Sequence, residues 1–377
     1  MGISETAITR RGALTVGAGA VLGGLGLSGA AQAAPDQQPA RLTRAQQAGQ
    51  RVIFSYPGLT PPASLLDQIS AGQAGGVIFF GENITSLTQI ASVIAQLNAA
   101  QQASPVRLPL LLMTDQEGGL VRRLPGEPVL SEKQIGASAD PVAEATSAGT
   151  GAGQNLAGVG MNLNLAPVLD VYRQAGDFDD QFGRSYSSDP HVAAACGAAF
   201  ITAQQKLRIA ATGKHFPGLG AATAAQNTDL GPVTLDVPLS DLRSIDELPF
   251  RAAIAACVQL VMASWAVYPA LDPKLPSGLS PVIIEGELRR RLGFRGVTIT
   301  DALEAGAITA FGTPAECGVL AAKAGMDVLL CSARDVSEGQ DTVTALTDAL
   351  DHHHLDHGQF DSALRRVLAL RHSLSRG

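Results

Sequence analysis

Positive charge is scarce in this sequence: 27 Lys and Arg stand against 34 Asp and Glu, for a net charge of −7. An acidic chain with no basic stripe is poorly made to grip a phosphate backbone, which excludes nucleic acid as the expected partner. Cysteine is scarcer still. Cys196, Cys257, Cys317 and Cys331 lie far apart, and no pair has metal-site spacing. Cys196 and Cys257 fall in Ala-rich helical runs and Cys331 ends an apolar strand, so buried thiols are expected. Export would permit a disulfide without deciding its pairing. Aromatic residues make up 4% of the chain, with Trp265 the single tryptophan, and their low number carries no functional message.

The N-terminal stretch reads as a targeting signal rather than as part of a fold. Thr9, Arg10 and Arg11 precede an apolar Gly/Ala/Leu-rich run from Gly12 to Ala30, followed by Ala31-Gln32-Ala33. A basic start, a mildly apolar run and an Ala-x-Ala site define a secretory signal, and adjacent arginines point to the twin-arginine route. Gly and Ala dilute the run and no basic stop-transfer sequence follows, so the mature chain is expected to hold no integral membrane segment. With no Cys at the cleavage site, no lipid anchor is expected. The Gly-rich run Gly17–Gly26 mimics a phosphate loop but belongs to this signal and follows no strand. Residues 1–33 are therefore expected to be cleaved, and residues 34–377 to be secreted as one domain with a net charge near −8. Those 344 residues suit a single α/β barrel, which usually spans roughly 200 to 400.

Short apolar runs alternate with longer helical patterns, as repeated βα units require. The strand candidates are Val52–Ser55, Gly76–Phe80, Leu110–Thr114, Asn162–Ala166, Ala210–Lys214, Leu260–Ala263, Val297–Thr300 and Asp327–Cys331. Several lack a period of two, as strands buried on both faces do. Eight such strands without a Pro/Ser-rich linker predict one closed (β/α)8 TIM-type barrel. The rival, an open doubly wound sheet, would carry a Gly-rich phosphate turn after its first strand, where only Pro57-Gly58 stands. Two helices are expected after the last strand, near Asp341–Asp351 and Gln359–Ser375.

Functional side chains of a barrel gather where strands end and βα loops begin. The third strand runs into TDQEGGLVRRL, with Asp115, Glu117, Arg122 and Arg123; the fourth leads to Asp170 and then to Arg184 in FGRSY. The fifth delivers Lys214 and His215 in GKHFPGLG, and the seventh delivers Asp301 in LGFRGVTITDALEAGAI. Carboxylates and cationic donors converging at one mouth suit the recognition of sugar hydroxyls. Singly each signal is weak: an Asp after a strand is often a helix cap, Arg184 a surface ion pair, His215 a satisfied core residue.

Jointly, these motifs and their order resemble the N-terminal barrel of glycoside hydrolase family 3, in its single-domain β-N-acetylhexosaminidase branch. The resemblance covers nearly the whole mature chain and leaves no room for the second sandwich domain of larger members. It implies a retaining exo-glycosidase acting on β-linked N-acetylglucosaminides such as cell-wall fragments, with Asp301 as nucleophile. Asp115, Arg123, Arg184, Lys214 and His215 would then grip the sugar, with Lys214 and Arg184 helping to keep Asp301 ionised. No metal or cofactor is implied, and the only partner expected of a monomer is its carbohydrate substrate.

The sequence departs from the branch at one point. Its members continue KHFPGHG into an Asp-x-His pair whose His is the general acid/base. Here Leu219 replaces the second motif His, and Ala225 and Asn227 fall where the pair would be. Asp229 in the NTD string is the substitute candidate, against a plain turn role; Glu117 and Glu304 are others. Two further readings stay open: a non-catalytic carbohydrate-binding barrel, or a β-glucosidase-like exo-glycosidase. Trp265 stands where related sequences carry His, either to stack on a sugar or to fill the barrel rim. The run Asp351–Gly358, DHHHLDHG, looks like a metal cluster but falls between the last two helices and reads as a solvated helix end.

Overall fold

Eight short parallel strands close on themselves in the computed structural model, which describes residues 42–375; the signal expected over 1–33 lies outside them. They are β1 (Val52–Phe54), β2 (Gly76–Ile78), β3 (Leu111–Thr114), β4 (Leu163–Asn164), β5 (Ala210–Phe216), β6 (Leu260–Ala263), β7 (Val297–Ala302) and β8 (Val328–Leu330). Their neighbours follow chain order, and β8 returns to β1 with Val52 opposite Leu329. The barrel is thus the predicted one, strand for strand.

The absence of alternation in these runs has a simple cause. Inward residues such as Ile53, Met113, Leu260, Ile299 and Val328 fill the barrel, while Val52, Phe54, Val77 and Leu112 pack outward against helices. Both faces are dry, so both are apolar. The last two helices run Val336–Asp351 and His357–Ser373. The first begins earlier than expected because Asp335 caps it, accepting from the Ser337 N–H at 2.9 Å.

The final helix closes the N-terminal end of the barrel. Val367, Leu370 and Leu374 join the interior cluster, and buried Arg371 donates to the Pro109 and Leu108 carbonyls at 2.8 and 3.0 Å. Arg51, also buried, donates to the Asp327 and Met326 carbonyls and lies 4.3 Å from the Phe360 ring centre. With one end plugged, chemistry is left to the other. The Asp351–Gly358 run spans the largely exposed junction from the end of one helix to the start of the next, where the His353 and His357 rings come within 3.2 Å.

The cysteines correct one expectation. Cys196, Cys317 and Cys331 are buried free thiols, but Cys257 is exposed, because its helix ends at Ala255 and Cys257 takes a left-handed turn at φ 57°. No helix among the described residues is long and apolar enough to cross a membrane.

Candidate active site

The C-terminal ends of the strands surround a cavity of about 420 Å³. Its floor is the top layer of the barrel interior, including Ile78, Leu165, Met262 and Leu330. Asp115, Arg123, Arg184, Lys214, His215, Asp229 and Asp301 all line it, so the structure brings together every site residue expected from the sequence. A groove of about 450 Å³ at the opposite end is lined by Phe294, Arg295, Arg366 and Leu370 among others, with no carboxylate or imidazole.

One wall is a buried ion network. Lys214 Nζ lies 2.7 Å from Asp115 Oδ1 and 2.7 Å from Glu117 Oε1. Arg184 donates through Nε and Nη2 to both Glu117 oxygens, at 2.8 and 3.0 Å, and through Nη1 to Asp179 at 2.8 Å. Burial alone would push the Glu117 carboxyl up, but Arg184 and Lys214 outweigh it and hold it at about 2. Burial disfavours the charge on Lys214 too, yet Asp115 and Glu117 raise its pKa. Glu117 is therefore held as an anion that orients two cations, and it has no proton to give as a general acid.

Beside this network His215 Nδ1 sits 2.7 Å from Asp170 Oδ2, and the other Asp170 oxygen accepts the Leu219 N–H at 2.6 Å. Burial works against a charged imidazole, but the Asp170 charge prevails and raises the His215 pKa. Asp179 packs against Asp170; burial, with the Asp170 charge adding to it and Arg184 opposing, lifts its carboxyl to about 6. Asp170, Asp179 and His215 gather one ligand atom each within 4.8 Å. Those donors are engaged with one another and with Leu219 and Arg184: Asp179 accepts from Arg184, and its carboxyl is hydrogen-bonded to Asp170.

Asp301, at the end of β7, stands apart from the ion pairs. Its Oδ1 accepts the Ala302 N–H at 2.8 Å, and no cation is bonded to it. Burial raises its pKa, the Asp229 charge adds to the rise, and His215 and Lys214 pull it back. Lys214 thus lowers the Asp301 carboxyl as expected but less than His215 does, Arg184 is not among its main influences, and burial makes the net direction upward.

Asp229 is on the same cavity although it follows β5 by many residues. Its loop turns on Asn227, whose Oδ1 accepts the Asp229 N–H at 2.8 Å. The loop then docks on the segment after β7: Gly306 N–H donates to the Asp229 carbonyl at 2.9 Å and Ala307 N–H to the Thr228 carbonyl at 3.0 Å. A Cβ at Gly306 would meet the Leu230 carbonyl at 2.6 Å, which is why DALEAGAI needs a glycine there. Gly220 of KHFPGLG serves the same end against the Asp170 loop, where a Cβ would meet the Val171 carbonyl oxygen at 2.2 Å. The Asp229 side chain is exposed and has no hydrogen-bond partner among the described residues, so it is not the cap of its own turn.

Trp265 fills the rim rather than facing a sugar: it is 1% exposed, and its Nε1 donates to the Ala302 carbonyl at 2.7 Å. It braces the backbone just after Asp301. Arg122 turns away to the Gly126 carbonyl at 2.7 Å. Asp179, Ser332 and Arg334 on the far wall, and Glu338 behind that wall went unnoticed in the sequence. Asp179 lies in a short helical turn, Phe178–Gln181, and Glu338 occupies the first turn of a helix, where acidic residues are commonplace.

The comparisons with known proteins agree with this geometry. The family model described as the N-terminal domain of glycosyl hydrolase family 3 matches residues 51–370. An uncharacterized secreted glycosyl hydrolase of Arthroderma benhamiae is 47% identical over 333 residues, 88% of this chain and 94% of the relative. A family 3 β-N-acetylglucosaminidase from Paenibacillus superposes with a TM-score of 0.84 at 34% identity, over 89% of this chain but only 64% of that one. A β-N-acetylhexosaminidase from Beutenbergia cavernae gives 0.80 at 34% identity, over 88% and 99%.

Proposed function

The chain belongs to glycosyl hydrolase family 3, and on that premise we propose that it is a retaining exo-glycosidase that cleaves β-linked N-acetylglucosaminides through Asp301. The observation that carries the reading is the position of Asp301. It is a carboxylate free of ion pairs on a sugar-sized cavity whose opposite wall is crowded with compensated charges.

Those charges can hold a sugar without being consumed by it. The Lys214 ammonium has three donors and spends two on Asp115 and Glu117, leaving one for a ring hydroxyl. The outer oxygens of Asp115 accept, and Arg123 and Arg184 donate. A pyranose so held turns its anomeric carbon to Asp301. The carboxylate attacks, the bond to the aglycone oxygen breaks, and a glycosyl ester forms; water then hydrolyses the ester with overall retention. The departing oxygen needs a proton, which we assign to Asp229, the one other cavity carboxylate whose charge acts on Asp301. The same carboxylate then takes a proton from the incoming water. Two carboxylates suffice for this chemistry, and no cofactor is invoked.

The same reading makes residues 1–33 an export signal, in keeping with a relative named as secreted, and residues 34–377 a monomeric barrel acting outside the membrane. Its substrates are amino-sugar glycosides such as chitooligosaccharides or peptidoglycan fragments. The test is hydrolysis of the 4-nitrophenyl β-glycosides of N-acetylglucosamine and of glucose, wild type beside Asp301→Asn. Asp301-dependent release from the N-acetyl substrate is expected. Release from the glucoside alone would make the protein β-glucosidase-like, and binding of either sugar without release would make it a carbohydrate-binding barrel.

A further inference from the structure

The cavity has two unlike sides. Strands β3 to β5 supply Asp115, Arg123, Arg184, Lys214 and His215, an array of donors and acceptors matched to hydroxyls. The side formed after β7, β8 and β2 presents the apolar Leu330, Ile78 and Phe80 together with the Glu304 carboxylate, Ser332 and Arg334, whose guanidinium lies over the Phe80 ring at 4.4 Å. Glu304 is half-buried and follows Asp301 by three residues on the same loop.

Glu304 is held from behind. Ser332 Oγ donates to its Oε1 at 2.7 Å and the Ser332 N–H reaches Oε2 at 3.4 Å. Glu338, buried on the following helix, accepts the Ala333 N–H at 2.9 Å through Oε2, and its carboxyl is hydrogen-bonded to Glu304. Burial, then the charge of Glu304, raises the Glu338 pKa to about 8. At neutral pH Glu338 therefore carries the proton in its hydrogen bond to Glu304. The other ionisable groups near the pair are Asp335, whose charge adds to the rise, the Cys331 thiol, and Arg334, which points to Glu82 at 3.4 Å.

A carboxylate acceptor beside apolar side chains, next to the nucleophile, fits a group that has one N–H and a methyl. The ring substituent next to the anomeric carbon of the proposed substrate is such a group. We propose that Glu304 is the specificity determinant for the 2-acetamido group: it accepts the amide N–H while the methyl packs against Leu330, Ile78 and Phe80. Glu338 is its positioning residue. The inference rests on the proposed glycosidase reading and adds the residue that tells an amino sugar from glucose. A site built to hydrogen-bond a substrate N–H rejects the analogue lacking it, and losing a hydrogen bond to a charged group costs roughly tenfold to a hundredfold in affinity.

The test is calorimetric titration of N-acetylglucosamine and of glucose into the Asp301→Asn protein, so that binding is read without turnover. Glu304→Ala on that background is expected to cut the preference for N-acetylglucosamine over glucose at least tenfold. Glu338→Gln, whose amide still donates to Glu304 and accepts from Ala333, is expected to keep the preference; Glu338→Met, of similar volume without a donor, is expected to lose it. The inference is overturned if Glu304→Ala weakens both sugars alike, if the two Glu338 variants behave alike, or if the parent protein has no preference. Failure of Asp301-dependent hydrolysis with this preference intact would instead overturn the glycosidase reading alone.

Discussion

The N–H of Gly306 donates to the carbonyl of Asp229 over 2.9 Å, tying the loop that carries one cavity carboxylate to the loop that follows the other, Asp301. Two segments remote in sequence are thereby brought to the same cavity mouth. Gly306→Val would drive side-chain atoms into the Leu230 backbone, 2.6 Å from the Cβ position. The expected cost is about 1–3 kcal/mol of stability by overpacking, together with a fall in turnover that parallels that of Asp229→Ala. Thermal unfolding and steady-state kinetics of the two variants side by side check it.

Asp229→Ala tests the proton donor itself. An acid matters in proportion to how badly the leaving group needs a proton. The variant should lose about 100-fold or more in kcat with unactivated disaccharides and far less with 4-nitrophenyl glycosides. Equal losses on both would remove Asp229 from that role.

Asp301→Asn should abolish turnover while leaving stability within about 1–2 kcal/mol of wild type. The sign is expected to favour the variant near neutral pH, because burial already makes the Asp301 charge unfavourable, as its raised pKa records. A drop in melting temperature larger than that of Gly306→Val would show that the carboxylate is structural.

Glu117 should behave in the opposite way. Glu117→Ala removes the carboxylate shared by two buried cations, leaving Lys214 only Asp115 and Arg184 only Asp179, and breaking such a network by one partner costs about 3–5 kcal/mol. Chemical denaturation of this variant measures it, with loss of sugar binding expected alongside.

The pH dependence of stability follows from the raised carboxyls, with Glu132 and Asp301 acting in the same direction as Asp179, Asp246 and Glu338. Burial is the largest cause in each: Asp179 is lifted to about 6, Asp246 to about 7 and Glu338 to about 8. Unfolded, these groups release their protons near pH 4. Between about pH 4 and 8 the native state therefore binds more protons than the unfolded one, and stability falls as pH rises through that window. Glu117, held at about 2, works the other way only in stronger acid. Melting temperature should thus decline from about pH 5 to 8, and Asp246→Asn, away from the cavity, should flatten part of that slope.

Why some of this was legible in the sequence and some not has a physical basis. Apolar strands bounded by turn residues announce themselves, and the polar residues closing β3, β5 and β7 mark the mouth of a barrel. The ends were less plain: β5 continues to Phe216, so Lys214 and His215 are strand residues whose side chains reach the cavity from within the sheet. The ion network joins Lys214 to Asp115 across 99 residues and Arg184 to Glu117 across 67, and no local pattern reports a pairing of that range. Glu338 falls before the helix expected from Asp341 and carries no local signal; only packing against Glu304 sets it apart.

The most direct test of the central claim is proton NMR of the first sugar released from 4-nitrophenyl β-N-acetylglucosaminide by the wild-type protein. Nucleophilic attack by Asp301 predicts that β-N-acetylglucosamine appears first and only later mutarotates, with the signal lost in Asp301→Asn. Initial appearance of the α-anomer, or release that survives the substitution, would contradict it.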